Sequence, residues 1–168
     1  MVRPELLGLC LVVLCVACQP QQKVYHVERG RTYDEDEAVV WEGLERFLRE
    51  SGITVTGADP ATGVITAERR AYQDAGWAEC ERARVIDRTS NSRRPTRARP
   101  LSRDLALEVT VRESAAGTEV QLLARFTEQQ NDPYRNWPFT QPCRSTGALE
   151  RALLDALGRS PPAAAGSG

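Results

Sequence analysis

The sequence predicts an α+β domain in which an antiparallel sheet of about five strands has one helix before it and one after it, both on the same face. Apolar residues recur at helical spacing near both ends of the domain, whereas between those ends they alternate with polar residues. Strict alternation is typical of strands with one buried and one solvated face. Together these patterns give the order α-β-β-β-β-β-α in a single domain over residues 33–158.

The first helix is predicted to begin near Thr32 and to end at Gly52. Thr32-Tyr33-Asp34-Glu35 fits a capping box, and the acids from Asp34 to Glu37 would lie at the positive end of the helix dipole. Gly52 is suited to end the helix because glycine adopts the left-handed conformation common after the last turn. The apolar stripe of this helix consists of Val40, Trp41, Leu44, Phe47 and Leu48.

Three strands are predicted directly after this helix. Residues 53–56 and 64–67 alternate and flank the turn residues 59–63, which predicts a hairpin. A third strand is predicted from Ala78 to Ile86.

A second hairpin is predicted from residues 104–113 and 120–126, which alternate around an Ala-Ala-Gly turn. Residues 127–142 contain three prolines and several polar residues, so they are predicted to be a loop. Ser145 and Thr146 then offer N-caps for the last helix. Its apolar face would consist of Leu149, Leu153, Ala156 and Leu157.

The first seventeen residues have the composition of a secretory leader. Arg3 precedes an uncharged run over residues 6–14 that is rich in leucine and valine. This run is shorter than the ~20 residues that cross a bilayer, so cleavage is predicted, and an uncleaved transmembrane anchor is the alternative.

The end of this leader resembles the lipobox of bacterial lipoproteins. In Leu14-Cys15-Val16-Ala17-Cys18 a small residue precedes a cysteine, which in that family accepts a diacylglyceryl group before cleavage. The resemblance implies that residues 1–17 are removed and that acyl chains on Cys18 anchor the protein in a membrane. Gln19 stands where an aspartate would retain the protein in the inner membrane, which implies an outer-membrane anchor with the domain in the periplasm. Cys15-Val16-Ala17 would also suit an ordinary signal peptidase.

The polar residues 18–32, with three glutamines, are predicted to be the lipidated N-terminus and a flexible tether. Residues 159–168 are predicted to be a disordered tail.

Eleven residues at the start of the mature domain carry a second resemblance: Val40, Trp41, Leu44, Phe47, Leu48, Gly52, Val55, Asp59, Gly63, Ile65 and Thr66. With them, this part of the chain resembles the helix-grip domains of the C subunit of the outer-membrane barrel-assembly machinery, a family of envelope lipoproteins. The resemblance implies a helix that lies across a curved sheet, with a groove between them for a partner segment or a small apolar ligand.

Composition and charge exclude several functions. The formal net charge of -1 gives no global attraction to nucleic acid, and export would separate the protein from it. His26 is the only histidine and lies in the predicted tether, away from any nucleophile. Consecutive acids at 34–37 point in different directions around a helix and cannot converge on a metal ion. We therefore expect no enzyme activity, no cofactor and no metal site.

Six arginines crowd the segment after the third strand, together with serine, threonine and proline. Such a segment would either bind an anionic partner, such as phosphorylated lipid head groups, or form a flexible hydrophilic loop. The six are Arg88, Arg93, Arg94, Arg97, Arg99 and Arg103.

The sequence contains five cysteines, of which Cys10 and Cys15 would leave with the leader and Cys18 would carry lipid. Cys80 and Cys143 remain. Because export leads to an oxidising compartment, this pair is predicted to form a disulfide between the third strand and the start of the last helix. Two reduced, buried cysteines are the alternative. Nearby aromatic residues would pack around the disulfide or form a binding lip; they are Trp77, Tyr134, Trp137 and Phe139.

These observations predict an envelope lipoprotein that acts as a non-enzymatic structural or assembly-interaction module, with another envelope protein as its partner. A carrier of a small ligand or lipid, using the groove between the first helix and the sheet, is the alternative. A hydrolase would require a buried pair of carboxylates. A carrier needs an enclosed apolar cavity, whereas an interaction module needs an exposed apolar patch or a free strand edge.

Overall fold

A computed structural model describes residues 23–73, 76–87 and 95–159. These residues form an α+β domain with two helices, α1 (Glu37–Glu50) and α2 (Ala148–Leu157). The main sheet has seven strands: β1 (Gly30–Tyr33), β2 (Thr54–Asp59), β3 (Val64–Arg69), β4 (Ala78–Glu79), β7 (Arg99–Ser114), β8 (Gly117–Asp132) and β9 (Trp137–Ser145). A separate ribbon consists of β5 (Arg84–Ile86) and β6 (Pro95–Arg97). The predicted leader, Cys18 and the tail beyond Arg159 lie outside the described residues.

The order of the main sheet is β2-β3-β7-β8-β9-β4, and each pair of neighbours is antiparallel. The strand β8 pairs with three other strands. The strand β7 pairs along one side of it, and two strands share the other side. On that second side β1 pairs with Thr118–Gln121 and β9 pairs with Phe126–Asp132. The prediction of about five strands is therefore wrong because it lacks β1 and β9, although the antiparallel α+β class is confirmed.

The core lies between one face of this sheet and the two helices. Alternate residues of β7 and β8 are buried, and both helices contribute to the same apolar cluster. The prediction that both helices cover one face is therefore confirmed. The buried side chains of this cluster include Val40, Leu44, Leu48, Ile65, Leu107, Val109, Val111, Val120, Leu122, Leu149, Leu153 and Leu154.

The end of α1 agrees with the prediction, but its start does not. The Ile53 amide donates to the Leu48 carbonyl, and the amide of Gly52, with φ +64°, donates to the Arg49 carbonyl. This pair of bonds is a Schellman motif, which explains why a glycine follows the helix. The predicted capping box at Thr32 is wrong, because Thr32 lies in β1 and the helix begins at Glu37 with Asp36 as its N-cap residue.

The predicted flexible tether is wrong for its last residues. Gly30 to Thr32 pair with β8, and the Leu122 amide donates to the carbonyl of Arg29 at 2.7 Å. Upstream, Arg144 donates to the carbonyl of Lys23 at 3.2 Å. Residues 23–29, which we call the N-terminal strap, therefore contact the domain because the edge of β8 offers free backbone partners there.

The predicted third strand is split into β4 and β5. After β4 the chain leaves the main sheet and crosses its buried face, where the side chain of Gln130 bonds to the backbone of Glu81 and Ala83. These side-chain bonds replace ladder bonds for Glu81 and Ala83, so the segment does not continue as a strand.

The predicted loop at residues 127–142 is also wrong, since it contains the end of β8 and most of β9. Two prolines, Pro138 and Pro142, lie in β9. Proline is tolerated in this strand because, among the described residues, β9 has no neighbour on its outer side until β4 pairs with Arg144 and Ser145.

The start of α2 differs in detail from the prediction. Its N-cap residue is Gly147, with φ 78°. The Ser145 hydroxyl accepts a bond from the Gly147 amide and the Thr146 hydroxyl accepts one from the Ala148 amide. Ser145 therefore bonds to the amide of the N-cap residue, and Thr146 bonds to the amide of the first residue of the helix.

Candidate functional site

Cys80 and Cys143 form the predicted disulfide, with 4.4 Å between their Cα atoms. Cys80 follows β4, and Cys143 lies within β9 opposite Phe126 rather than at the start of the last helix. The bond therefore fixes the point at which the chain leaves the main sheet.

The aromatic residues near the disulfide divide into two groups. Trp77 packs on Tyr72 with 5.5 Å between ring centroids, and the Arg69 guanidinium lies 5.2 Å from the Trp77 centroid. These residues belong to the core or pack against it. Tyr134 and Trp137, in contrast, are exposed by 43% and 70%. The packing interpretation therefore holds for Trp77, while Tyr134 and Trp137 are available for contacts.

A buried polar network underlies the far half of the sheet. Glu128 pairs with Arg103 at 2.9 Å and accepts a bond from the Gln130 amide nitrogen at 2.7 Å. Gln130 in turn bonds to the backbone of Glu81 and Ala83 at 2.8 Å and 3.0 Å. Because buried polar groups need partners, this network holds residues 81–83 over β8. The sequence did not reveal it, since polar residues near prolines resemble a loop.

The predicted anionic-partner arginines do not act as one group. Arg103 is bound within the protein to Glu128, so it is not available to a partner. Arg97 and Arg99 are exposed on β6 and at the start of β7. Arg88, Arg93 and Arg94 lie outside the described residues.

The exposed arginines lie at the end of the sheet where the β5–β6 ribbon meets the β8–β9 turn. The hydroxyls of Thr96 and Tyr134 are hydrogen-bonded across this junction. Ile86, Arg135 and Phe139 line one depression of about 480 Å³ between the two elements. We call this end the tip surface; its exposed members are Ile86, Tyr134 and Trp137 together with Arg84, Arg97, Arg99 and Arg135.

The tip surface carries unbalanced positive charge. Arg84 and Arg97 are direct cross-strand partners in the ribbon, an arrangement that places like charges side by side. Within the described residues, none of the four tip arginines lies within ion-pair distance of a carboxylate. Asp132 is close by, but its carboxylate accepts bonds from the Tyr134 and Arg135 amides of the turn. The arrangement is suited to an anionic partner.

The groove between α1 and the sheet, which a carrier would use, is filled by side chains. Val40, Leu44 and Leu48 of α1 are almost completely buried in the core. A depression of about 370 Å³ lies instead between α1 and α2, and its lining includes Arg46, Glu50 and Arg159 beside Phe47. Charged side chains at its rim make it unlike an apolar ligand cavity.

A second depression, of about 260 Å³, lies between the N-terminal strap and β8, where β1 and β9 leave a gap. Glu150 lines it and is buried; its Oε1 accepts the Ser145 hydroxyl at 2.7 Å, while its Oε2 has no hydrogen-bond partner within the described residues. Glu128, the other buried carboxylate, has different partners, so the two do not share a site. His26 is exposed, and no group of three metal-ligating side chains occurs in the described part of the chain.

The N-terminal strap and β1 are held by ion pairs. Arg31 binds Glu28 through two bonds of 2.9 Å and Asp155 of α2 through a third of 2.9 Å. The hydrogen bond from Arg31 lowers the pKa of Glu28, and its bonds to Glu28 and Asp155 raise the pKa of Arg31. At the other end, hydrogen bonds from Tyr25 and then from Lys23 lower the pKa of Glu79. The strap is therefore tied to α2 and to β4.

Comparison of the chain with protein families, with curated proteins and with solved structures found no match in any of the three. Neither α1 nor α2, the helices of the described residues, is both long and apolar enough to cross a membrane. The class that the described residues define is an α+β domain with two helices on one face of an antiparallel sheet and a basic, aromatic tip.

Proposed function

We propose that this chain is a bacterial envelope lipoprotein, anchored in the outer membrane through Cys18, whose periplasmic domain acts as a non-enzymatic interaction module. Support for the anchor comes from Leu14-Cys15-Val16-Ala17-Cys18 and from the apolar leader before it. The disulfide between Cys80 and Cys143 is in keeping with an oxidising compartment beyond the inner membrane.

The single observation that carries the interaction role is the tip surface. Trp137 is exposed by 70%, and Ile86 and Tyr134 lie on the same end of the domain. Exposed aromatic residues and arginine are the residues most enriched at the centres of protein interfaces. A domain that exposes them together, with no ion partner for these arginines among its described residues, favours a surface that is covered in use.

The carrier function has less support because the side chains of α1 fill its own groove with the sheet. A carrier would bury most of the surface of its ligand in an apolar pocket. Leu44 and Leu48 occupy that position and are fully buried. A ligand could enter only by displacing part of the core, which costs several kcal/mol in packing.

We further propose that the domain is helix-grip-like. Its support is the position of α1, whose buried residues pack in the same core as the buried residues of β3 and β7. The short strands β1 and β4 and the β5–β6 ribbon would then be additions to that architecture.

The interaction role can be tested by purification from membranes with the anchor intact. Molecules that co-purify with the native chain would be identified by mass spectrometry and compared with those from a Trp137→Ala/Tyr134→Ala variant. We expect the specific molecules to be lost in the variant. Both residues are exposed, and the variant loses only the exposed hydrogen bond between Tyr134 and Thr96, so it should melt within a few degrees of the native temperature. This measurement separates loss of binding from loss of folding.

A matched control changes an exposed apolar residue far from the tip. Leu123 lies on the solvated face of β8 and is 38% exposed, so Leu123→Ala is suited to this purpose. This variant should retain every co-purifying molecule. Loss of the same molecules in Leu123→Ala, or their retention in the tip variant, would contradict the proposed role of the tip.

A further inference from the structure

We propose that the tip surface rests on the anionic head groups of the membrane in which the chain is anchored. This inference rests on the proposed lipoprotein function and names the partner of its interaction surface. It is carried by the distribution of charge, by the chemistry of the exposed side chains and by the length of chain between the anchor and the domain.

The charge of the chain is strongly segregated. Eight of its 22 basic residues lie between Arg82 and Arg103, where Asp87 is the only acid, although the whole chain has a formal charge of -1. The remaining sequence is therefore acidic. Near an anionic surface such a molecule turns its basic end inward. The four tip arginines lie at that end, exposed and without an ion partner among the described residues.

The apolar members of the tip are the types that prefer a membrane interface. Tryptophan and tyrosine concentrate where head groups meet the hydrocarbon region, because each has an apolar ring and a polar group. Trp137 and Tyr134 lie at the β8–β9 turn, at the opposite end of β8 from the β7–β8 turn. Arginine stems can lie along the apolar surface while their guanidinium groups reach phosphate.

A lipid surface fits the arrangement better than a folded protein does. The four arginines are spread over β5, β6, the start of β7 and the β8–β9 turn, rather than gathered around one deep pocket. Mobile head groups can satisfy dispersed arginines without a complementary shape, whereas a protein partner would require one.

The anchor allows this contact and restricts the domain to the vicinity of the membrane. Five peptide steps separate Cys18 from Lys23, so Lys23 lies at most about 18 Å from the acylated residue. Lys23 is held beside Arg144 at the far end of β9. From Trp137 to Arg144 the strand extends about 24 Å, so Trp137 reaches the head groups once β9 leans about 45° from the membrane normal.

The test uses the lipidated protein extracted from membranes and reconstituted in two sets of vesicles. One set contains phosphatidylcholine alone, the other also contains phosphatidylglycerol, and both carry a nitroxide label on a fraction of head groups. Nitroxide quenches tryptophan fluorescence at short range. The chain has three tryptophans, and Trp41 and Trp77 pack against the core. We therefore expect quenching in the anionic vesicles, most of which Trp137→Phe abolishes.

Two arginine variants test the role of charge. Arg97→Gln/Arg99→Gln should weaken the contact by about fivefold for each arginine, and only in the anionic vesicles. Arg112→Gln/Arg125→Gln is the matched control, since both residues are exposed on the main sheet away from the tip. It should leave the quenching unchanged. Equal quenching in the two sets of vesicles, or an equal effect of the two variants, would overturn the inference.

Flotation of the vesicles separates this inference from the proposed function. Protein that floats without quenching of Trp137 would overturn the tip contact and leave the lipid anchor intact. Protein that does not float would overturn the anchor. The same protein is then added in solution to the same vesicles, and the tip contact requires that anionic lipid still quenches the fluorescence of Trp137. A photo-crosslinking amino acid at position 134 in cells should yield lipid adducts. A single protein adduct instead would contradict the membrane contact and identify a protein as the partner of the tip.

Discussion

Arg103 and Glu128 form an ion pair of 2.9 Å in which the side chain of Glu128 is only 2% exposed. Gln130, which lies two residues further along β8, donates to the same carboxylate and connects it to the backbone of the segment 81–83. The pair therefore supports the ribbon that forms half of the tip surface. Breaking it should loosen that half.

Arg103→Met is expected to lower the free energy of unfolding by about 3 kcal/mol, because it leaves a buried carboxylate without its cation. Adding Glu128→Gln to this variant should recover part of the loss, since the amide carries no charge. Chemical denaturation measures both. Arg70→Met, which removes an exposed pair with Glu68, is the control and should change stability by less than about 1 kcal/mol. If the losses of unfolding free energy from Arg103→Met and Glu128→Gln simply add in the double variant, this account is contradicted.

The disulfide should contribute measurably to stability. Cys80 and Cys143 are 63 residues apart in sequence, and closing a loop of that length removes unfolded-state entropy worth about 4 kcal/mol in the chain-entropy model. Cys80→Ser/Cys143→Ser is therefore expected to unfold at a lower denaturant concentration than the native chain. The native protein should have no reactive thiol at these positions under denaturing conditions. Two reactive thiols, or equal stability of the variant, would show that the bond does not form.

Gly147 reports on the docking of the N-terminal strap. A Cβ at this position would lie 2.6 Å from the carbonyl oxygen of His26, and its φ of +78° disfavours any residue with a side chain. Gly147→Ala should lower stability by about 2 kcal/mol and make the strap easier to cleave with trypsin at Arg29. Gly158→Ala, whose Cβ would meet its nearest atom at an ordinary 3.5 Å, is the control. Similar cleavage of both variants would show that the strap is not held there.

Tyr33 should make the fold sensitive to alkali. Its hydroxyl donates to the Leu154 carbonyl at 2.7 Å, and burial raises its pKa to about 12 from an ordinary value of 10.0. A raised pKa favours folding of the neutral form, so this contribution is complete below pH 10 and declines by up to about 2 kcal/mol as the pH approaches 12. Tyr33→Phe should be less stable at neutral pH but should show a shallower decline between these values. Parallel pH profiles would refute the assignment.

Much of the fold follows from periodicity. The stripe of α1, with Val40, Leu44 and Leu48, is buried as its spacing predicts, and both hairpins form where alternating residues flank glycine-containing turns. The disulfide followed from the number of cysteines and the expected compartment. In these cases one local pattern decides the structure without a competing signal.

The strands that were missed depend on tertiary partners. Four residues from Gly30 to Tyr33 form a strand only because the edge of β8 is free beside them. Two prolines conceal β9 because edge strands accept residues that a local pattern assigns to loops. Glu128 and Gln130 are buried where the backbone of Glu81 and Ala83 folds back over β8, and this contact also supports the tip. Such long-range contacts leave no periodic trace in the sequence.

The central claim is the lipid anchor at Cys18, and the intact mass of the protein purified from membranes tests it most directly. We predict a chain that begins at Cys18 and is heavier than its sequence by a diacylglyceryl group and an amide-linked acyl chain, and that moves to the aqueous phase when Cys18→Ala is introduced. A chain that begins at Cys18 without added mass, or one that retains residues 1–17, would contradict the account.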